Sequence, residues 1–159
     1  MTTVTATASA APPPSRGGET YRLALPNTPT APKIARSFVS SLLTISEHNA
    51  LVDDARICVS EVVTNAHRHT RTPLIRVAVM VGVRQVTVAV TDDKPWLLPV
   101  PTAAARAKSG AQGGTNQAEF EDGRGIALVA NLAHAWGATI YASHPTGRKA
   151  IWFTLESPG

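Results

Sequence analysis

Cysteine is almost missing from this chain: one residue, Cys58, in 159. A single thiol excludes an internal disulfide and any cysteine-built metal cluster. Cys58 lies among apolar neighbours in "ARICVS" and reads as a small core residue. Aromatic residues make up only 5%, and no run of Lys or Arg exceeds two, although 15 basic against 11 acidic residues leave a net charge of +4. A basic patch interleaved with aromatics is therefore lacking, and direct nucleic-acid binding is not expected. The surplus charge suits an anionic small ligand or an acidic protein partner. No stretch approaches the roughly 18 apolar residues of a membrane-crossing helix. The opening "MTTVTATASAAPPPSRGGE" has neither the basic start nor the apolar centre of a secretory leader. No membrane association is expected, and the cytoplasm is the expected compartment. Internal repeats are absent as well.

What is present suits one folded domain: 43% hydrophobic and 16% charged residues at this length can bury a real core. Residues 1–19, rich in Ala, Thr, Pro and Gly, read as a disordered tail, and residues 20–157 as the domain. "TYRLALP" (20–26) reads as a strand. "APKIARSFVSSLLTIS" (31–46) places Ile34, Phe38, Leu42 and Ile45 at helical spacing, with Pro32 suited to the first turn. In "NALVDDARICVSEVVTNAHRH" the apolar residues again follow the helical period, Asp53 and Asp54 favour the first turn, and Pro73 closes the segment. "LIRVAVMV" and "QVTVAVTD" form two antiparallel strands. Residues 94–122 hold many Pro, Gly and small residues and predict a long flexible loop, with one short helix around 101–108. "GRGIALVANLAHAWG" predicts a helix begun by Gly-Arg-Gly, and "ATIYAS" and "KAIWFTLE" a closing hairpin around "HPTGR". The order β-α-α-β-β-loop-α-β-β implies an α/β (α+β) two-layer sandwich, a mostly antiparallel sheet covered on one face by helices.

Three places carry chemistry. In "SEVVTNAHRHT" the polar residues Glu61, Asn65 and His69 recur every four positions. At 100° per residue Asn65 lies about 40° and His69 about 80° from Glu61, toward the apolar arc. A carboxylate at such an edge needs partners, so the row is either a satisfied structural feature or a site. In "QVTVAVTD", Val86, Val88, Val90 and Asp92 share one strand face. That puts Asp92 at the strand end on the core side, as a turn-forming residue or an acceptor for a ligand amine. In "EDGRGIALV", Gly123 and Gly125 precede an apolar helix, where free N–H groups and Arg124 suit an anion, or simply start a helix. The loop is neither a Walker A motif nor a dinucleotide fingerprint.

Taken together and in this order, these segments resemble the GHKL ATPase superfamily. "SEVVTNAHRH" looks like its N box, "VAVTDDKP" its first glycine-box segment and "EDGRGIALV" its second. "WGATIYASHPTGRKAIWFTLE" resembles its closing strands, so the likeness covers roughly residues 20–156. The nearer likeness is to single-domain anti-sigma factor serine/threonine kinases and actinobacterial ATP-binding regulatory proteins.

The resemblance implies a Bergerat-type, histidine-kinase ATPase-like fold, with ATP and Mg²⁺ as cofactors. It puts a Mg²⁺-coordinating role on Asn65, and general-base catalysis or positioning of the attacking hydroxyl on Glu61. Asp92 falls at the acceptor of the adenine amine, and Gly123, Arg124 and Gly125 along the phosphates. His69, with Arg68, falls near the same edge. Implied partners are a sigma factor and its anti-anti-sigma (STAS-type) antagonist, with a homodimer left open. The pattern departs from the family in "DDKPWL", where Lys94 and Trp96 stand near expected glycines. A second departure is Ala150, where many relatives carry an adenine-contacting Thr. A third is a lid with no basic cluster beyond Arg106 and Lys108. Three readings stay open: a Ser/Thr protein kinase, a non-catalytic ATP-binding regulator, and a nucleotide-independent interaction surface.

Overall fold

The computed structural model describes residues 18–95, 117–141 and 147–159, and the structural statements below concern these residues. The elements are β1 (Glu19–Pro26), α1 (Ala31–Ile45), α2 (Val52–His69), β2 (Leu74–Val81), β3 (Gln85–Asp92), α3 (Gln117–Leu132), β4 (Ala135–Tyr141) and β5 (Arg148–Glu156). A single 3-10 turn, Asn49–Leu51, leads into α2. The strands form one antiparallel sheet in the order β1-β2-β3-β5-β4. The helices pack on it, giving the expected α/β sandwich.

Strand alternation builds the two faces. Val86, Val88 and Val90 of β3 join Val77 and Val79 of β2 and Ile151, Phe153 and Leu155 of β5 in the core beneath the helices. The opposite face carries a smaller cluster of Ala89, Ala150 and Trp152. Helix α2 is the central helix. Its buried residues are Ala55, Cys58, Val59, Val62, Val63 and Ala66, the stripe that the period of its sequence predicts. Each fully buried valine there contributes about 1.5–3 kcal/mol. Burial, with Asp54 and Glu61 nearby, pushes the Cys58 thiol up to about 12, as befits an inert core residue.

Three expectations need correction. The helical period of α1 is right but its phase is not. The buried residues are Ala31, Ala35, Val39 and Leu43, while Ile34 and Ile45 are exposed. Small Ala31 and Ala35 let α1 lie close against its neighbours. Second, α3 starts at Gln117 rather than at Gly123, so residues 117–122 of the expected loop are helical. Third, α3 ends at Leu132 and β4 begins at Ala135, because Trp136 turns into the core opposite Phe153 and Gly137 lies under the Trp152 ring. The tail up to residue 17, the short helix around 101–108, Trp96, Arg106 and Lys108 lie outside the described residues.

Candidate active site

The topology brings the end of α2, the start of β2, the end of β3 and the start of β5 to one end of the sheet. Helix α2 ends at His69 and passes through four residues into β2, whose start is registered beside the end of β3: Arg76 pairs with Thr91. The start of β5 lies there too, with Lys149 opposite Asp92. Helix α3 feeds β4 at the far end of the sheet and packs against α2.

Asn27, between β1 and α1, fastens the α2–β2 connection. Its Nδ2 donates to the carbonyls of Thr70 (3.3 Å) and Thr72 (2.9 Å), and its backbone N–H to Pro73 O (3.2 Å). His67 Nδ1 lies 2.7 Å from Asn27 Oδ1, so that ring nitrogen carries the proton. Thr70 closes the helix, its hydroxyl donating to Ala66 O at 2.6 Å. These bonds fix the last turns of α2. Along that helix Glu61 and Asn65 are half-buried and one turn apart, while His69 is exposed at the helix end. The row therefore does not sink into the core as the wheel predicts, because the helix stops at His69.

Asp92 is where its strand pattern puts it, on the core side and buried. Its partners are Lys149 Nζ at 2.9 Å and the backbone N–H of Lys94 at 2.8 Å, both donating to Oδ1. Lys149 Nζ also donates to Lys94 O at 2.8 Å. Both side chains of this pair are only 4% exposed. Burial holds the Asp92 carboxyl above the usual carboxylate range, while the Lys149 ammonium and the Lys94 amide pull it back.

Lys149 was not foreseen, and neither was Asn27. The alternation in "KAIWFTL" carried a signal for Lys149: Lys149, Ile151, Phe153 and Leu155 share a face, and a lysine in that row needs an acid. Ala150 is the residue to correct. It pairs with Thr91 and Thr139 and packs with Ala89 and Trp152 on the other face of the sheet, so the position facing Asp92 belongs to Lys149.

Glu61 meets α3. A Cβ on Gly125 would lie 2.6 Å from Glu61 Oε2, so the glycine lets the two helices close on the carboxylate. Gly123, Arg124 and Gly125 fall inside α3, where backbone N–H groups are engaged in the helix ladder. They are not the helix start that the Gly-Arg-Gly pattern suggests. Two glycines inside a helix each cost about 1 kcal/mol relative to alanine, and at Gly125 the close approach of Glu61 accounts for it. A cavity of about 210 Å³ lies at this end of the sheet, but its strand walls, Leu74, Arg76, Thr91, Asp93 and Arg148, alternate with the core row, so it opens on the face away from the helices and not beside Glu61 and Asn65. Among the described residues no group of three or more His, Cys, Asp or Glu could hold a metal ion. A Mg²⁺ held through Asn65 would take its other ligands from water and phosphate. No helix among the described residues is long and apolar enough to cross a membrane.

A family model described as a histidine kinase-like ATPase domain matches residues 25–154. No curated protein matches the chain.

Proposed function

Since the chain belongs to the histidine kinase-like ATPase domain family, which implies ATP binding, we propose that it is an ATP-binding regulatory protein resembling anti-sigma factor serine/threonine kinases. The supporting observation is Asp92: a buried carboxylate at a strand end, at the same sheet end as the last turns of α2. Its Oδ1 holds two donors, so a further donor would be taken by Oδ2. Such an oxygen fits the exocyclic amine of adenine. Asn65 would hold Mg²⁺ against the phosphates, and Gly123, Arg124, Gly125 and His69 would border the nucleotide.

ATP would supply the γ-phosphoryl group. A Ser or Thr hydroxyl of a protein antagonist would form the new O–P bond, the bond to the β-phosphate oxygen would break, and ADP would leave. Glu61 would orient that hydroxyl and take its proton. The partners proposed are a sigma factor and its STAS-type antagonist, in the cytoplasm.

A second reading, a non-catalytic ATP-binding regulator, is favoured by Glu61 itself, whose carboxylate lies against α3 at Gly125. Labelled ATP with a STAS-type antagonist separates the two. The kinase reading expects antagonist labelling by the wild type and at least about 100-fold less with Glu61→Gln. No labelling by either would favour the regulator, and equal labelling by both would keep the kinase reading but remove Glu61 from its mechanism.

A further inference from the structure

The inward row of β5 is Lys149, Ile151, Phe153 and Leu155, and three of these four belong to the apolar core. An uncompensated ammonium at the head of that row would be strongly disfavoured. Lys149 instead holds Asp92 Oδ1 at 2.9 Å and Lys94 O at 2.8 Å. Lys94 N–H reaches the same Oδ1 at 2.8 Å, closing an Asx turn. An ionised carboxylate has about two acceptor sites per oxygen. Both sites on Oδ1 are filled, so a ligand's donor is directed to Oδ2.

The main chain is clamped at the same place. Gly147, at φ +68°, lies against Pro95, whose Cγ would be 2.8 Å from a Cβ on that glycine. The segment Asp92–Pro95 is thus tied to the start of β5 by an ion pair, a hydrogen bond and a packing contact.

We propose that Lys149 is the positioning residue for base recognition: it pins Asp92 Oδ1 and leaves Oδ2 as an acceptor for a purine's exocyclic amine. The proposal rests on the nucleotide-binding reading above. Other charges face this end of the sheet. Asp93 raises the Asp92 carboxyl further. Arg76 of β2 and Arg148 of β5 share the cavity wall, and the last turn of α2 carries His67, Arg68 and His69. Lys149 is the ammonium in direct contact. A charged Oδ2 can only accept, so it favours a base that offers N–H. Without Lys149 the buried carboxyl takes a proton more readily, and a protonated carboxyl both accepts and donates. Selection for the amine then weakens, and it depends on pH.

The test is calorimetric titration of the full chain with Mg-ATP and with the Mg complex of purine riboside triphosphate, which lacks the 6-amino group. Wild type, Lys149→Met and Lys149→Gln are compared at pH 6.5 and 8.5. The wild type is expected to favour ATP by about tenfold or more at both pH values, the scale of one hydrogen bond to a charged group. Lys149→Met is expected to lose that preference at pH 6.5 and to regain part of it at pH 8.5. Lys149→Gln keeps a donor without the charge and should fall between; it carries the comparison if the Met variant does not fold. An unchanged preference in both variants at both pH values, or tighter ATP binding by either, overturns the inference alone. If the wild type binds neither nucleotide, the nucleotide reading falls and this inference falls with it.

Discussion

Glu61 and Gly125 meet where α2 packs against α3, so closely that a Cβ on the glycine would lie 2.6 Å from the carboxylate oxygen. The atom in the way is the far end of a flexible side chain, so the carboxylate can swing aside. Alanine inside a helix gains about 1 kcal/mol over glycine, which offsets the displacement. Gly125→Ala should therefore melt within about 1 kcal/mol of wild type while phosphoryl transfer falls by about tenfold or more, since small misplacements of a catalytic group are costly. Thermal melts and transfer assays on the same preparation check this. Full activity in the variant would show that the position of Glu61 is immaterial.

The two polar residues of α2 should separate by phenotype. Glu61→Gln should bind Mg-ATP within about threefold of wild type, because a general base contributes to the transition state rather than to ground-state binding. Asn65→Ala should lose the Mg²⁺-dependent part of binding, by about tenfold or more. Titrations with and without Mg²⁺ distinguish them, and the reverse pattern would exchange the two roles.

The Asp92–Lys149 pair makes a signed prediction about stability. Breaking a buried pair by removing one partner costs about 3–5 kcal/mol, so Lys149→Met should lose that much at pH 8. Burial already raises the Asp92 carboxyl above its unfolded value. A group raised in this way contributes stability that is fully present below its unfolded value and is lost as pH rises through its folded one. Removing the ammonium raises it further. The gap between variant and wild type should therefore narrow from pH 8 toward pH 5 in urea melts. A gap that stays constant with pH would mean that Asp92 stays charged without Lys149.

On the far face of the sheet, Gly137 lies under the Trp152 ring, whose Cζ2 would be 2.8 Å from an added Cβ. A buried indole cannot swing aside as a carboxylate can. Gly137→Ala should cost about 1–3 kcal/mol by overpacking, read as a lower melting temperature with altered tryptophan emission. An unchanged melt would show that β4 can shift away from β5.

Much of the architecture was legible because it is local. Alternation in "QVTVAVTD" put Asp92 on the core face, and the period of α2 named its buried residues. What escaped depends on residues distant in sequence. Lys149 acquires its meaning only when β5 pairs with β3 across 57 residues of chain, and Asn27 only when it reaches Thr70 and Thr72. The start of α3 was missed because Gly123 and Gly125 look like helix breakers, whereas packing of Ile126 and Val129 into the core supports a helix through them. The family was legible from the order of its boxes; the ion pair of Asp92 with Lys149 beside "DDKP" was not.

The central claim is that Asp92 anchors a nucleotide, and calorimetric titration of Mg-ATP into wild type and Asp92→Asn tests it most directly. The account predicts a dissociation constant below about 1 mM for wild type, a binding free energy beyond about −4 kcal/mol, and at least tenfold weaker binding when the amide presents N–H where an acceptor is needed. Equal binding by the two proteins, or none by the wild type at about 5 mM, would contradict it.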